Sequence, residues 1–440
     1  MSNYTLISFV GTGQYNKKGE SEGYKTIKYQ FPNGTIYETS LFLEALLQAE
    51  YKPVKKIILI GTQTSNWDVL LADMQSNPGG EPGDYTDLWE RLVKECEADT
   101  TAGITPESRE RLEKALTKKT GVPVVIKYHT PEISAATIPE IFPVYSSLVK
   151  ELAEDTDILL DITHGFRSMP LLVYQALQFG LAGDSQRKVE LIYGEIRQDA
   201  ASPAPARDLS EYWRLSDISA AKNLFFRKFD GRRLAAFLHD AWDEGENLII
   251  RFSTIVECNL SLDMWRWIQD AKRALSRPHK GTEPDWILEL QDFLRKEIIK
   301  KTDHPLTSDI LRAFSRLLEE HNLRTQAIIT LQAALETRTV EYYGSVDEIG
   351  NYNAWDTTYK NKYRTKRDAL SQNGPLCTLE WVRNSIAHGG YKDNRGKAFT
   401  SQEVWTALKN CKNAVHEYFE QVNPDKKNAD KPPAAGGAGG

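Results

Sequence analysis

Near the C-terminal end of the chain, the segment Trp381–Gly390 combines an arginine with a histidine five positions later. Arg383 is permanently charged and offers a planar fork of donors to phosphate, whereas His388 gives or takes a proton near neutral pH. Helical spacing places Asn384 and His388 on nearly the same face, and only a long side chain such as that of Arg383 can reach them. We therefore predict Arg383, Asn384 and His388 as catalytic residues for phosphodiester cleavage without a metal.

A simpler explanation of this pattern stays open. Gly389 and Gly390 end the predicted helix directly after His388, and the helix dipole favours a histidine at that position in any case. Short patterns of this kind also arise by chance. The segment needs support from the rest of the chain.

A second group of polar residues follows three predicted strands in the first half of the chain. Tyr4–Val10, Val54–Ile60 and Asp157–Ile162 are apolar runs, and each ends in a short loop. Because ligands bind beyond the carboxyl ends of parallel strands, we predict that these loops form a binding crevice. The predicted ligand-binding residues are Gly11, Thr12, Gly13, Gln14, Thr62, Gln63, Thr64, His164, Gly165, Phe166 and Arg167.

The third loop is typical of a phosphate site. His164 and Arg167 flank a glycine just before a predicted helix, whose N-terminus favours an anion. The alternative for His164 is a buried histidine whose hydrogen bonds are satisfied inside the protein. For the first loop, Gly11 and Gly13 are also compatible with a tight turn at the end of a strand.

The arrangement of predicted elements indicates two domains. Strands alternate with helices up to Glu195, which predicts an α/β, Rossmann-like domain with a mainly parallel sheet over residues 1–200. A Pro/Ala-rich segment predicts a linker at residues 201–207. Residues 208–422 then show only helical periodicity, with a possible insertion at about 252–307, and residues 423–440 have the composition of a disordered tail.

Composition excludes several classes of protein. The net charge of −6 over 440 residues argues against a generally basic nucleic-acid-binding surface, so any RNA contact must be local. The four cysteines lie far apart, without a Cys-x-x-Cys pair, which is typical of a reducing cytoplasm. No leader sequence and no run of about 18 apolar residues occurs, so we predict a cytoplasmic protein that does not cross a membrane. No metal-ligand pattern occurs, and we predict neither metal nor cofactor.

Taken together, the motifs resemble those of the CRISPR-associated CARF–HEPN ribonucleases of type III systems. Phe9–Gly13, Asp161–Ser168 and Tyr193–Gly194 resemble the motifs of the CARF sensor domain, and Asp208–Leu209 also fits. Arg383–His388 resembles the HEPN motif. The order of an α/β half before a helical half agrees with the family, whereas the stretch at 252–307 departs from it.

The resemblance implies that the first domain binds a cyclic oligoadenylate, for which we predict the cyclic tetra-adenylate, at a two-fold axis between two chains. It also implies an all-α HEPN domain that pairs with its copy to cut single-stranded RNA, in a homodimer or a higher even oligomer. Cleavage by the RNA 2′-hydroxyl would leave DNA uncut.

Two alternative functions stay open. The crevice itself could degrade the cyclic nucleotide, with Thr12, Thr62, His164 and Arg167 positioning it. Otherwise the helical half could bind RNA or a partner without cleaving it. The intact pair of Arg383 and His388 favours the nuclease.

Overall fold

The computed structural model describes residues 3–12, 14–15, 21–71, 85–97, 103–165, 168–181, 187–196, 202–239, 241–277, 283–370, 374–387 and 399–425. All structural statements below concern these residues. The chain divides into two compact units, Met1–Ser216 and Asp217–Gly440.

The first unit is built on a mixed sheet whose described part has the strand order β5-β4-β10-β9-β8-β1-β6-β7. The segment from β9 to β7 is parallel throughout, as predicted. The strands of this sheet are β1 (Asn3–Phe9), β4 (Ile27–Gln30), β5 (Ile36–Thr39), β6 (Val54–Thr62), β7 (Val124–His129), β8 (Thr156–Asp161), β9 (Val189–Gly194) and β10 (Ala204–Asp208). A separate two-stranded ribbon consists of β2 (Gln14–Tyr15) and β3 (Ser21–Gly23).

The central strands are buried along most of their length because both faces of the sheet are covered. In β6, Ile57 and Leu59 belong to one buried cluster, whereas Ile58 and Ile60 belong to the other. The first cluster is covered by α1 (Phe42–Gln48), α2 (Thr86–Glu97) and α3 (Pro106–Thr120). The second is covered by α4 (Ile138–Ser146), α5 (Leu148–Glu151) and α6 (Ser168–Gly180). The predicted α/β class is therefore confirmed.

The linker predicted at residues 201–207 is wrong, because Ala204–Asp208 forms β10. This strand runs parallel to β4 and antiparallel to β9. Ala204 and Ala206 are buried while Pro205 between them is partly exposed, which is the alternation of a strand. Pro205 cannot donate a hydrogen bond, but its carbonyl accepts one from the Glu195 N–H at 3.0 Å. The proline and alanine content of this segment indicated a linker, whereas the segment forms a strand through pairing with strands that are distant in sequence.

The second unit is helical in all its described elements, and the boundary between the units falls within α7. Its helices are α7 (Ser210–Lys228), α8 (Arg232–Ala235), α9 (Asp243–Glu257), α10 (Met264–Leu275), α11 (Asp285–Phe293), α12 (Lys300–Thr302), α13 (Thr307–Glu320), α14 (Arg324–Tyr343), α15 (Tyr352–Ala354), α16 (Lys360–Leu370), α17 (Pro375–Ala387), α18 (Ser401–Asn410) and α19 (Lys412–Gln421). Two π-helical segments, Leu294–Ile299 and Trp355–Tyr359, follow α11 and α15, and Ser261–Asp263 and Val346–Glu348 are 3-10 turns.

The stretch proposed as an insertion, residues 252–307, contributes to the main core of this unit. Phe252, Trp267 and Leu290 are fully buried in its apolar cluster, and the Trp267 indole N–H donates to the Leu248 carbonyl at 2.9 Å. Residues 252–307 are therefore an integral part of the core of this unit. The residues of the predicted disordered tail from 426 onward lie outside the described part of the chain.

None of the helices described in either unit has the length and apolar character that crossing a bilayer requires.

Candidate ligand-binding crevice and catalytic helix

The strand order creates a crevice next to β1. After β1 the chain forms β4 and β5 at one edge, then adds β6 and β7 on the other side of β1. Later it adds β8 and β9 on the side of β1 that faces β4 and β5. At such a reversal, ligands bind beyond the carboxyl ends of the two adjacent strands. Here these are the loops after β1, with Gly11 and Thr12, and after β8, with Ile162 to Gly165.

Gly11 and Gly165 bring the two loops into backbone contact. A Cβ on Gly11 would lie 3.3 Å from both the amide nitrogen and the Cα of Gly165. Gly165 has φ of +95°, and a Cβ there would lie 2.8 Å from the Cβ of Phe9. The Gly11 N–H donates to the Tyr24 hydroxyl at 2.6 Å. Glycine is therefore required at 165 for both conformation and space.

We expect Gly165→Ala to destabilise the first unit more than Gly34→Ala. Both glycines have positive φ, but nothing lies within 4 Å of a Cβ on Gly34. Gly34→Ala carries the left-handed strain alone, about 1–2 kcal/mol. Gly165→Ala adds the overlap with Phe9, a further cost of about 1–3 kcal/mol. Urea unfolding followed by circular dichroism measures the difference, and equal losses in the two variants would show that the Phe9 contact is absent.

The loop after β6 is fastened to the loop after β1. The Ser65 hydroxyl donates to the Val10 carbonyl at 2.6 Å, and the Asn66 N–H donates to the Gly11 carbonyl at 2.9 Å. Thr62 is fully buried, and its N–H donates to the Ser65 hydroxyl at 2.8 Å. Thr62 therefore stabilises the shape of the loop, and its role in ligand binding stays a prediction.

Gln63 and Thr64 are more accessible than Thr62. The Gln63 N–H donates to the His129 carbonyl at 2.8 Å, which fixes its backbone. The side-chain oxygen Oε1 of Gln63 is buried and has no hydrogen-bond partner within the described structure. Since buried polar atoms are rarely left unpaired, this acceptor is suited to a donor group on a ligand.

His164 is buried and already hydrogen-bonded, as in the alternative considered from the sequence. Its Nε2 accepts from the Phe42 N–H at 3.1 Å, at the first residue of α1. The ring also packs edge-on against Tyr24, with 5.2 Å between centroids. Burial holds the pKa of His164 below its usual range, with Asp161 acting in the opposite direction. A neutral His164 brings no positive charge to the crevice.

Asp161 is the buried last residue of β8, and its carboxylate accepts hydrogen bonds there. Its carboxylate accepts from the Ser8 hydroxyl at 2.6 Å and from the Thr163 N–H at 2.9 Å. The Thr163 hydroxyl in turn accepts from the Gly194 N–H at 2.8 Å. These bonds tie the third loop to β1 and β9, so that the chain leaves β8 in a fixed direction towards Gly165.

The side chains of several predicted site residues are not described by the structure. Gly13, Phe166, Arg167 and His388 lie outside the described residues, and Gln14 is described only as backbone in β2.

In the helical unit, α17 presents Arg383 and Asn384 together. The Arg383 Nη1 donates to the Asn384 Oδ1 at 2.9 Å. Arg383 also forms an ion pair with Glu336 of α14, with 3.1 Å between Nη2 and Oε1. The side chains of Arg383 and Glu336 are 33% and 23% exposed, so this pair is partly shielded from water. The arginine is thus held toward α14.

Glu336 is a charged side chain on a largely buried helix face. Burial raises its pKa above the ordinary value, while the hydrogen bond from Gln332 and the charge of Arg383 act in the opposite direction. The Gln332 Nε2 donates to the Glu336 Oε1 at 3.0 Å. The same oxygen therefore receives two donors, and this fixes where the Arg383 guanidinium lies.

A cavity of about 200 Å³ opens beside Glu336. Tyr352, which is 73% exposed, and Trp355 line it, together with Glu348. Trp355 begins the second π-helical segment. An exposed aromatic ring such as that of Tyr352 is a surface on which a single-stranded base can stack.

Comparison with known proteins identifies the first unit. Residues 5–194 match the family model described as the CARF domain of CRISPR system endoribonuclease Csx1. These residues form a CARF domain. The chain is also 30% identical over 225 residues to the CRISPR-associated protein MJ1674 of Methanocaldococcus jannaschii. That match covers 48% of this chain and 34% of that protein, so the matched region is about a third of the relative's length.

Among solved structures, Enterococcus italicus Csm6 bound to cyclic hexa-2′-fluoro-hexa-dAMP aligns over 97% of both chains, at 11% identity and a TM-score of 0.36. A score this low bears on neither the fold nor the function.

The CARF match spans all three loops of the crevice. It begins in β1 and ends at Gly194, the last residue of β9, before β10 is reached. The predicted resemblance to a CARF-containing protein is confirmed, whereas the HEPN assignment of the helical unit stays a prediction.

Sequence reasoning missed several residues that shape these sites. Within the CARF domain, Tyr24 bonds to the loop after β1 and Ser8 bonds to Asp161 at the end of β8, but neither residue type is distinctive at its position. In the helical unit Glu336 was missed. A signal was available, because a glutamate interrupts an otherwise buried face of α14 four residues after Gln332.

Among the side chains that the structure describes, no group of three or more His, Cys, Asp or Glu residues is arranged to hold a metal ion.

Proposed function

We propose that this protein is a metal-independent endoribonuclease of type III CRISPR antiviral defence, which acts in the cytoplasm and cuts single-stranded RNA when its CARF domain binds a cyclic oligoadenylate. The observation that carries the proposal is a CARF domain on the same chain as a helix in which Arg383 and Asn384 lie together just before His388. On this reading the helical unit is a HEPN domain.

The activator would bind in the crevice between the loops after β1 and β8. Arg167 supplies positive charge for phosphates, and the side-chain oxygen of Gln63 offers an acceptor. A ring with two-fold symmetry is matched by two copies of one crevice, so the active species would be a homodimer or a higher even oligomer. The cyclic tetra-adenylate is the ring size we expect.

Cleavage would proceed by attack of the RNA 2′-hydroxyl on the adjacent phosphorus. The bond between O2′ and phosphorus forms as the bond between phosphorus and O5′ breaks, which yields a 2′,3′-cyclic phosphate and a 5′-hydroxyl end. One His388 accepts the proton of the 2′-hydroxyl, and His388 of the second copy donates a proton to O5′. Arg383 stabilises the charge that develops on the phosphorane oxygens, and Asn384 orients the guanidinium.

The features around Arg383 favour RNA that is single-stranded. The exposed ring of Tyr352 offers a stacking surface in the cavity beside Glu336, and such a surface is accessible only to an unpaired base. DNA lacks the attacking hydroxyl and would remain intact.

The test is an assay of labelled RNA with cyclic tri-, tetra- or hexa-adenylate and without any of them, in which the cyclic compounds are analysed alongside the RNA. Cleavage only with a cyclic oligoadenylate supports the proposal. Loss of the cyclic compound without RNA cleavage would instead identify a ring nuclease, and RNA binding without cleavage would identify a regulator.

We expect RNA cleavage to continue at an unchanged rate in excess EDTA. The chemistry needs an acid, a base and a fixed positive charge, and His388 and Arg383 provide these without a metal. The measurement is the initial rate with EDTA, with a Mg²⁺-dependent nuclease in the same buffer as a control for chelation. A rate that falls with EDTA and returns with Mn²⁺ or Mg²⁺, at unchanged circular dichroism, would contradict this mechanism.

A further inference from the structure

A second cavity of the helical unit, of about 390 Å³, lies between α13, α14, α18 and α19. Its volume falls within the range of roughly 300–1,000 Å³ that is usual for small-molecule sites. Neither Arg383 nor Glu336 lines it. It is therefore a different place from the proposed cleavage site.

Arg312 reaches this cavity with an unused donor. Its Nε is buried and has no hydrogen-bond partner within the described structure. The guanidinium lies over the Phe419 ring, 4.7 Å from the centroid, so the ring holds it in place. Burial lowers the pKa of Arg312, and the neighbouring charge of Arg316 lowers it further. A buried cationic donor without an acceptor is costly, and an anion would relieve that cost.

The carboxylates that line the cavity are already engaged. Glu319 pairs with Lys412 at 2.9 Å, and Glu320 pairs with Lys301 at 2.9 Å. In the part of the chain that the structure describes, neither Arg312 nor Arg316 forms a salt bridge. The cavity therefore carries two guanidinium groups that form no salt bridge in the described residues, although the charges of Asp309 and Glu420 act on Arg312. Planar guanidinium groups make two-pronged contacts with phosphate oxygens.

An aromatic wall adjoins these cations. Trp405 lines the cavity, and the Arg324 guanidinium lies 3.7 Å from the centroid of its ring, a contact that fixes the orientation of the indole. Leu331 and Leu408 add apolar surface. Two free arginines beside an indole are the groups that recognise a phosphate attached to a flat base.

We propose that this cavity binds a nucleoside monophosphate, with its phosphate between Arg312 and Arg316 and its base against Trp405. The site is separate from the cyclic oligoadenylate crevice and does not depend on the cleavage reaction. It would allow the helical unit to respond to free nucleotide.

The experiment is calorimetric titration of the full chain with AMP, and in separate arms with inorganic phosphate and with adenosine. Three variants are compared with the parent. Arg312→Gln and Arg316→Gln remove the two proposed phosphate ligands. Arg266→Gln changes an exposed arginine of α10 that does not line the cavity and serves as the control.

AMP is expected to bind the parent and the control equally, and at least about tenfold more weakly to each cavity variant, because each loses a charge-assisted hydrogen bond. Inorganic phosphate is expected to bind more weakly than AMP. If Arg312→Gln proves misfolded by circular dichroism, the exposed Arg316→Gln decides. Absence of AMP binding to the parent, or equal binding by the parent and Arg316→Gln, would overturn the site. Equal affinity for phosphate and AMP would overturn its assignment to a nucleotide.

Discussion

Replacement of His388 by alanine is expected to lower the rate of RNA cleavage by roughly 10²–10⁴-fold, the usual contribution of a positioned general acid or base. The affinity for cyclic oligoadenylate should remain that of the parent, because the proposed activator crevice lies in the other unit. Cleavage is measured as the initial rate at saturating activator, and affinity by calorimetry. Higher activator concentration should not restore the rate.

The matched control is His416→Ala, which removes an exposed histidine on α19 of the same unit. It should cleave at the parental rate. A His388→Ala protein that keeps more than about a tenth of the parental rate would remove this residue from the chemistry. Arg383→Lys should also fail, since a lysine cannot replace the two-pronged contact with phosphate.

Arg167→Ala is expected to shift the activation curve to higher activator concentration by roughly 10–100-fold, the worth of one or two charge-assisted hydrogen bonds. Saturating activator should restore at least part of the rate, which separates this variant from His388→Ala. The reason is linkage: the activator can favour the cleaving state only as far as it binds that state more tightly. The measurement is the rate of RNA cleavage against activator concentration.

The control for this variant is Lys118→Ala, which removes an exposed cation of the same unit from α3. It should leave the activation curve unchanged. Should Arg167→Ala respond to every cyclic oligoadenylate as the parent does, the crevice is assigned to the wrong loops. Should the parent cleave RNA at full rate without any activator, the first unit is not the sensor of this nuclease.

His164 is a poorer test of the same crevice, although the sequence places it beside Arg167. Its Nε2 accepts the Phe42 N–H at 3.1 Å and its ring packs on Tyr24. His164→Ala would leave the first N–H of α1 unpaired and open a void, so that a weaker response to activator would not distinguish binding from folding.

The sequence predicted the parallel part of the sheet well because those strands carry their own signal. β6 and β8 each contain a short apolar run that is followed by turn residues, and these properties are local. β10 has no such signal. Ala204 to Asp208 is a strand only because β4 and β9 lie on either side of it, a fact of tertiary structure that proline obscures.

In the candidate sites too, local sequence indicated some residues, whereas others are brought in only by tertiary packing. Residue types and spacing indicated Arg383 and Asn384, which are indeed hydrogen-bonded on one helix. Glu336 lies 47 positions earlier in the chain, and only the packing of α14 against α17 brings it to the arginine. For His164, spacing cannot tell a histidine that faces a ligand from one that accepts a backbone N–H, because both follow a strand and precede a helix.

The ion pair between Glu336 and Arg383 also bears on how the protein tolerates the RNA around it. A phosphate group that reaches Arg383 meets a competitor from the same chain, at an effective concentration that dissolved RNA does not approach. In the proposed nuclease this competition would raise the Michaelis constant for RNA and would reduce capture of RNA by the resting protein. Because burial raises the pKa of Glu336, acidification would protonate this competitor and free the arginine. The safeguard against self-digestion would therefore be strongest where the carboxylate is fully ionised.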